Sequence, residues 1–151
     1  MNYLSDKEFQ RYDRQIKIFG VEAQKKLKKS KVTIIGLGGL GSASATYLAA
    51  LGVGNLRLVD KEKVELSNLN RQVIHWTTDI GKLKTLSAFE KLSKLNPEIN
   101  IETLNLGVTE ENVHEIIKDS DLVMDALDNW KTRFIVNDAC VQDKIPFIHA
   151  G

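Results

Sequence analysis

"KVTIIGLGGLGSASATYLAALGVGNLRLVD", residues 31–60, opens and closes on short apolar runs, KVTIIG and NLRLVD, of the length and branching that suit buried strands. Between them lies a helix-length segment of small and apolar residues. A strand, a helix and a second strand in this order call for a right-handed crossover and parallel pairing. The first turn is GLGGLG, Gly36 to Gly41, where a strand hands over to a helix. Lacking side chains, Gly36, Gly38 and Gly39 admit positive φ and let backbone N–H groups approach a phosphate, at which the positive end of the next helix also aims. A turn that serves packing alone is the competing reading.

The same alternation extends outward from this unit. Downstream, IGKLKTLSAFEKLSKLN sets Leu83, Leu86, Phe89 and Leu92 along one helical face, INIETLN alternates as a strand does, and EENVHEIIKD is a weaker helix. DLVMDAL is a further strand, NWKTRFIVNDACVQDK a helix, and PFIHA the start of a last strand reaching Gly151. Upstream, Ser5 and Glu8 form a capping-box pattern, and Leu4, Phe9, Tyr12, Ile16 and Phe19 then predict a helix over about 5–19. A second helix from residue 21 to 29 ends in cations, which suit the negative end of its dipole. Five strands and four helices in alternation predict an α/β, Rossmann-like fold. Its sheet is mainly parallel, with helices on both faces and N-terminal helices ahead of it. The expected division is a helical segment, 1–30, and a nucleotide-binding domain, 31–151.

At 151 residues there is room for one such domain, since a domain holds about 100–200. The 21 basic and 20 acidic residues leave +1, so no global field draws the chain to nucleic acid, and any anion site must be local. No signal-peptide core and no 18-residue apolar run is present, so no membrane is expected. A single cysteine, Cys140, excludes an internal disulfide and points to the cytoplasm. It falls on an apolar helical face and is read as core. His75, His114 and His149 lack metal-ligand spacing and are read as packing or surface histidines.

Asp60 ends the second strand 24 residues after Gly36, near where a carboxylate receives ribose hydroxyls in this architecture. Any adenine nucleotide fits so far. A nicotinamide enzyme then needs a ring pocket and a proton relay, whereas ATP brings about four negative charges that call for cations and Mg²⁺. Arg71 and Lys84 between the second and third strands, and Asp128 after the fourth, supply two cations and a metal carboxylate at the sheet's ligand edge.

Together, RYDRQ, GLGGLG, VELSNLNRQ, the lysine of GKLK, and DALDN resemble the ThiF/MoeB/HesA family of ubiquitin-activating-enzyme-like adenylating proteins, in family order from residue 11 to 129. The resemblance implies that ATP and Mg²⁺ are used to adenylate the C-terminal glycine of a small ubiquitin-like or sulfur-carrier protein ending in Gly-Gly, with release of pyrophosphate. It assigns Gly39 and Asp60 to the nucleotide, Asn68 and Arg71 to its phosphates, Lys84 to phosphate charge and Asp128 to Mg²⁺. Ser67, Leu69, Asn70 and Asn129 would line the same pocket, and Arg14 would reach into the partner's site of a homodimer. The catalytic set implied is Arg14, Arg71, Lys84 and Asp128. Such family members continue past this point with antiparallel strands, often two CxxC pairs for structural zinc, and a mobile cysteine loop. The expectation is therefore a truncated chain that keeps the nucleotide fold and loses turnover. The alternatives are an NAD(P)-binding oxidoreductase domain, which needs only the glycine turn and Asp60, and a non-catalytic nucleotide-binding subunit. Arg71, Lys84 and Asp128 weigh against both.

Overall fold

The computed structural model describes residues 3–149. Five strands, β1 Lys31–Ile35, β2 Asn55–Val59, β3 Asn100–Leu104, β4 Leu122–Asp125 and β5 Phe147–His149, form one sheet in the order β3-β2-β1-β4-β5, with every pair parallel. Helices α3 Gly39–Leu51, α4 Lys84–Leu95, α5 Val113–Ile117 and α6 Trp130–Asp143 make the crossovers. The fold is the expected α/β arrangement. Ala150 and Gly151, through which the last strand was expected to run, lie outside the described residues.

Strand periodicity divides the interior in two. Val32 and Ile34 of β1, with Leu56 and Leu58 of β2, pack against Ala45 and Ala49 of α3 and Ala88 and Leu92 of α4. Ile35, Val59 and Val123 point the other way, onto α5 and α6, where Ile116, Ile117, Val136, Ala139 and Cys140 complete a second core. Two polar intrusions are satisfied within the sheet. The Thr33 hydroxyl meets Ser120 Oγ at 2.6 Å, and the buried Arg57 donates to Glu102 and to the carbonyls of Ile116 and Lys118.

The N-terminal region corrects the predicted 5–19 helix. The capping box is present, with Ser5 Oγ accepting from the Glu8 N–H and Glu8 Oε2 from the Ser5 N–H, but α1 spans only Asp6–Arg11. The chain turns at Tyr12 to sink its ring into the interior over Gly52, and its hydroxyl accepts a hydrogen bond from Asn96. Helix α2, Asp13–Lys29, then breaks at Gly20 (φ 84°, ψ 166°), where a break was expected. Leu4 and Tyr12 are buried, whereas Phe9 and Phe19 of the anticipated stripe face outward.

Helix α4 is rotated relative to its expected face. Thr85, Ser87, Ala88 and Leu92 are buried, and Leu86 and Phe89 are exposed. This rotation turns Lys84, only 3% exposed, toward the sheet's carboxyl edge. Among the described residues no helix is long and apolar enough to cross a membrane.

Candidate functional site

The register pairs Ile35 with both Val59 and Asp125, so β1, β2 and β4 end level with one another. Beyond those ends lies a cleft of about 1040 Å³, placed where the crossovers on either side of β1 diverge. Its floor is the glycine turn. Gly36 sits at φ 95°, and a Cβ there would stand 2.7 Å from the Ala126 carbonyl oxygen. At Gly41 a Cβ would come within 1.9 Å of the Gly36 oxygen, so this glycine lets α3 pack directly on the turn. Gly38 and Gly39 do not have positive φ, contrary to the expectation for all three turn glycines. One left-handed residue suffices to leave the strand, because Gly38 is extended and Gly39 already begins the helix. Their missing side chains instead open space beside Gln72 and Arg71. No side chain caps α3, which leaves its leading N–H groups facing the cleft.

The loop from Asp60 to Lys84 forms one wall. Asp60 Oδ2 accepts the Leu37 N–H at 2.7 Å and Oδ1 accepts the Glu62 N–H at 2.8 Å, so the carboxylate ties the β2 end to the glycine turn. Val64 N–H donates to the Lys82 carbonyl and Lys84 N–H to the Glu62 carbonyl, which fastens the loop to the start of α4. Lys84 stands at the first position of α4, where the dipole disfavours a cation, yet its Nζ is buried and meets Glu62 Oε2 at 2.5 Å. Arg71 runs its stem past Gly39 and uses Nη1 on the Ser67 carbonyl and Asn70 Oδ1, and its other guanidinium donors have no partner among the described residues. Asn68 Oδ1 accepts the Glu65 N–H, and the buried Gln72 lies under Gly38 with its Oε1 unpartnered.

The opposite wall follows β4. The buried Asp125 accepts from the Leu127 N–H and from His149 Nδ1, each at 2.8 Å, with Arg133 beside it at 3.4 Å. That brace shapes the turn carrying Asp128. Asn129, not Asp128, caps α6, its Oδ1 accepting the Thr132 N–H at 2.9 Å. The Asp128 carboxylate is exposed in the cleft and has no hydrogen-bond partner among the described residues.

Gly36, Gly38, Gly39, Asp60, Asn68, Arg71, Lys84, Asp128 and Asn129 thus line a single cleft. Ser67, Leu69 and Asn70 do not line it; Ser67 and Asn70 instead hold Arg71 from behind. Arg14 is exposed on the first turn of α2 and is not part of this cleft. Sequence reading missed Glu62, Gln72 and the Asp125 brace. An acid two residues after Asp60 and a second aspartate in DALD were the available signals. Cys140 is buried, and burial pushes its thiol up to about 11. His114 is exposed and pairs with Asp143, whereas His75 is buried.

The charge count of the cleft is balanced: Lys61, Lys63, Arg71 and Lys84 face Asp60, Glu62, Glu65 and Asp128. Of these acids, Asp60 is bonded to backbone N–H groups, Glu62 to Lys84 and Glu65 to the Ser67 hydroxyl at 3.4 Å, whereas Asp128 has no hydrogen-bond or ion-pair partner among the described residues. Among the described residues no group of three or more metal-ligating side chains occurs.

The family model described as the ThiF family matches residues 12–151. The chain is 48% identical over 147 residues to a molybdopterin-synthase adenylyltransferase of Haemophilus influenzae, covering 96% of this chain and 60% of that protein. It is 44% identical over 143 residues to the SAMP-activating enzyme E1 of Haloferax volcanii, covering 93% of this chain and 53% of that one. The solved structure of the E. coli tRNA N6-threonylcarbamoyladenosine dehydratase TcdA in complex with ATP superposes with a TM-score of 0.95 at 28% identity, covering 99% of this chain and 62% of that chain. The chain therefore spans roughly half to three fifths of these relatives.

Proposed function

The chain belongs to the ThiF family, and from that premise we propose that its cleft binds ATP with Mg²⁺ to adenylate the C-terminal glycine of a small ubiquitin-like sulfur-carrier protein. The observation that carries this reading is the convergence of an uncapped helix N-terminus, Asp60, Arg71, Lys84 and the unpaired Asp128 on one cleft from distant parts of the chain. Asp60 receives the ribose, the α3 N-terminus and Arg71 hold the phosphates, and Lys84 faces the charge that develops during transfer. Asp128 holds Mg²⁺, which when bound neutralises phosphate oxygens and supplies the positive charge the balanced cleft lacks.

The carrier carboxylate is already ionised, so its oxygen attacks the α-phosphorus without a general base. The bond to pyrophosphate breaks, and an acyl-adenylate is left. The task of this chain is positioning and charge neutralisation. Arg14, exposed and remote from its own cleft, is the residue for a second copy's site, which makes a homodimer the active form. The setting is cytoplasmic.

Isothermal titration tests the reading. ATP with Mg²⁺ is expected to bind and NADH not to bind, and Arg71→Ala or Asp128→Ala is expected to weaken ATP binding by about tenfold or more, as loss of a charged hydrogen bond does. NADH binding in preference to ATP would overturn it in favour of an oxidoreductase domain.

A further inference from the structure

His75 lies outside the set above, yet its ring joins two elements of the site. Its Nε2 stands 3.0 Å from the Leu37 carbonyl in the glycine turn, and its Nδ1 stands 2.9 Å from Ser87 Oγ on α4. A carbonyl only accepts, so Nε2 carries a proton. Behind Ser87, Lys91 donates to the same Oγ at 3.0 Å, and an ammonium only donates. The serine oxygen therefore accepts from Lys91 and still has a lone pair and a proton with which to meet Nδ1, so the ring is held on both edges. Lys91 is anchored by the buried Asp79, which also accepts the Trp76 N–H at 2.8 Å and pairs with Lys82 at 3.2 Å. The Asp79–Lys91–Ser87 chain thus braces the ring on the edge away from Leu37.

The Leu37 backbone is gripped from both sides, its carbonyl by His75 and its N–H by Asp60 at 2.7 Å. In a planar trans peptide the C=O and the following N–H point in opposite directions. Holding the Leu37 carbonyl on His75 therefore sends the Gly38 N–H away from the interior. That N–H has no partner among the described residues, and Gly38 lines the cleft.

We propose that His75 is a positioning residue for the phosphate-binding turn: its Nε2–H, on a ring braced from the other edge by Ser87 and Lys91, holds the Leu37 carbonyl and so aims the Gly38 N–H at the nucleotide. The effect on affinity rests on the nucleotide reading above; the tautomer does not. The groups facing the ring favour its neutral form. Burial lowers its pKa below the ordinary 6.5, the hydrogen bond to Leu37 raises it, Lys84 and Lys91 of α4 lower it, and Asp79 raises it, with a net downward shift.

Long-range ¹H–¹⁵N correlation on histidine-labelled protein reads the tautomer directly. The expected pattern is a protonated Nε2; a bare Nε2 with an Nδ1–H overturns the proposal. His75→Gln sets an amide N–H where Nε2 was, whereas His75→Phe keeps the ring volume without a donor. ATP affinity is expected to fall about 5–10-fold in the phenylalanine variant and to stay within about twofold in the glutamine variant, the scale of one hydrogen bond. Equal affinity in both variants and the parent overturns the proposal. If His75→Phe does not fold, His75→Ala carries the test, with a comparable fall in ATP affinity expected and parental affinity overturning the proposal. Should the parent bind no ATP, the nucleotide reading fails. Amide exchange at Leu37, faster in the phenylalanine variant than in the glutamine variant, then decides the tether.

Discussion

At Gly36 two independent constraints meet, a positive φ and a carbonyl 2.7 Å from where a Cβ would lie. Relaxing the φ alone cannot admit alanine, because the Ala126 backbone must move as well, and that backbone leads into Asp128. Gly36→Ala is expected to lower unfolding free energy by about 2–3 kcal/mol, the scale of backbone strain plus a local clash, measured by urea denaturation. Cys140 shows the opposite situation, a reactive side chain made inert by its surroundings. With its thiol buried and pushed up to about 11, it is expected to resist a thiol reagent such as DTNB at pH 8 until the protein is unfolded by denaturant. The cleft residues differ again in how they are held. Lys84 comes with its counter-ion at 2.5 Å, whereas Asp128 has no such partner among the described residues. A buried cation at a helix start is a local conflict with the dipole, and such conflicts concentrate at functional positions.

Among elements, α2 is fastened to the α/β body by polar contacts as well as by the buried Tyr12 and the half-buried Leu27. Gln15 and Gln24 both donate to the Leu51 carbonyl at the end of α3, satisfying an orphan acceptor of that helix. Lys28 reaches across to Glu8 at 2.7 Å, and the Glu8 side chain is almost wholly buried. Burial would raise the Glu8 pKa, but Lys28 and the Ser5 N–H outweigh it and hold it below 4.5. The folded pKa lies under the unfolded one, so this contribution is full above pH 4.5 and is lost as pH falls through the folded value. Glu8→Gln keeps the capping box and removes the charge. The parent is expected to be the more stable of the two at neutral pH, and the difference to shrink below pH 4.5 in chemical denaturation measured across that range. Element alternation was readable in the sequence because branched apolar runs and glycine punctuation are local signals. The faces of α1 and α4 were not, because Tyr12 and Lys84 turn inward for partners far along the chain, Asn96 and Glu62, which no local period encodes.

On the scale of the whole molecule, the cleft was legible as a set of residue types and its position followed from strand order. Its wiring was not. The spacing of glycines, Asp60, Arg71, Lys84 and DALDN told which side chains belong at a parallel sheet's carboxyl edge. It did not tell that Asn129 rather than Asp128 caps α6, or that a histidine passed over as packing grips the turn. The histidine contact depends on two segments that meet only once the sheet has formed. The balanced charge of the cleft also emerges only in three dimensions, since Asp128 arrives from the turn after β4 and the other seven charged residues from the Asp60–Lys84 loop.

The sheet order β3-β2-β1-β4-β5 makes the β1–β4 pairing, four residues long, the single seam in the sheet between the β1–β3 part and the β4–β5 part. Anything lodged in the cleft touches the glycine turn on one bank and Asp128 on the other, and so laces that seam shut. Pulled apart from its two ends, a loaded molecule should tear at greater force than an empty one, with the first rip along β1 and β4.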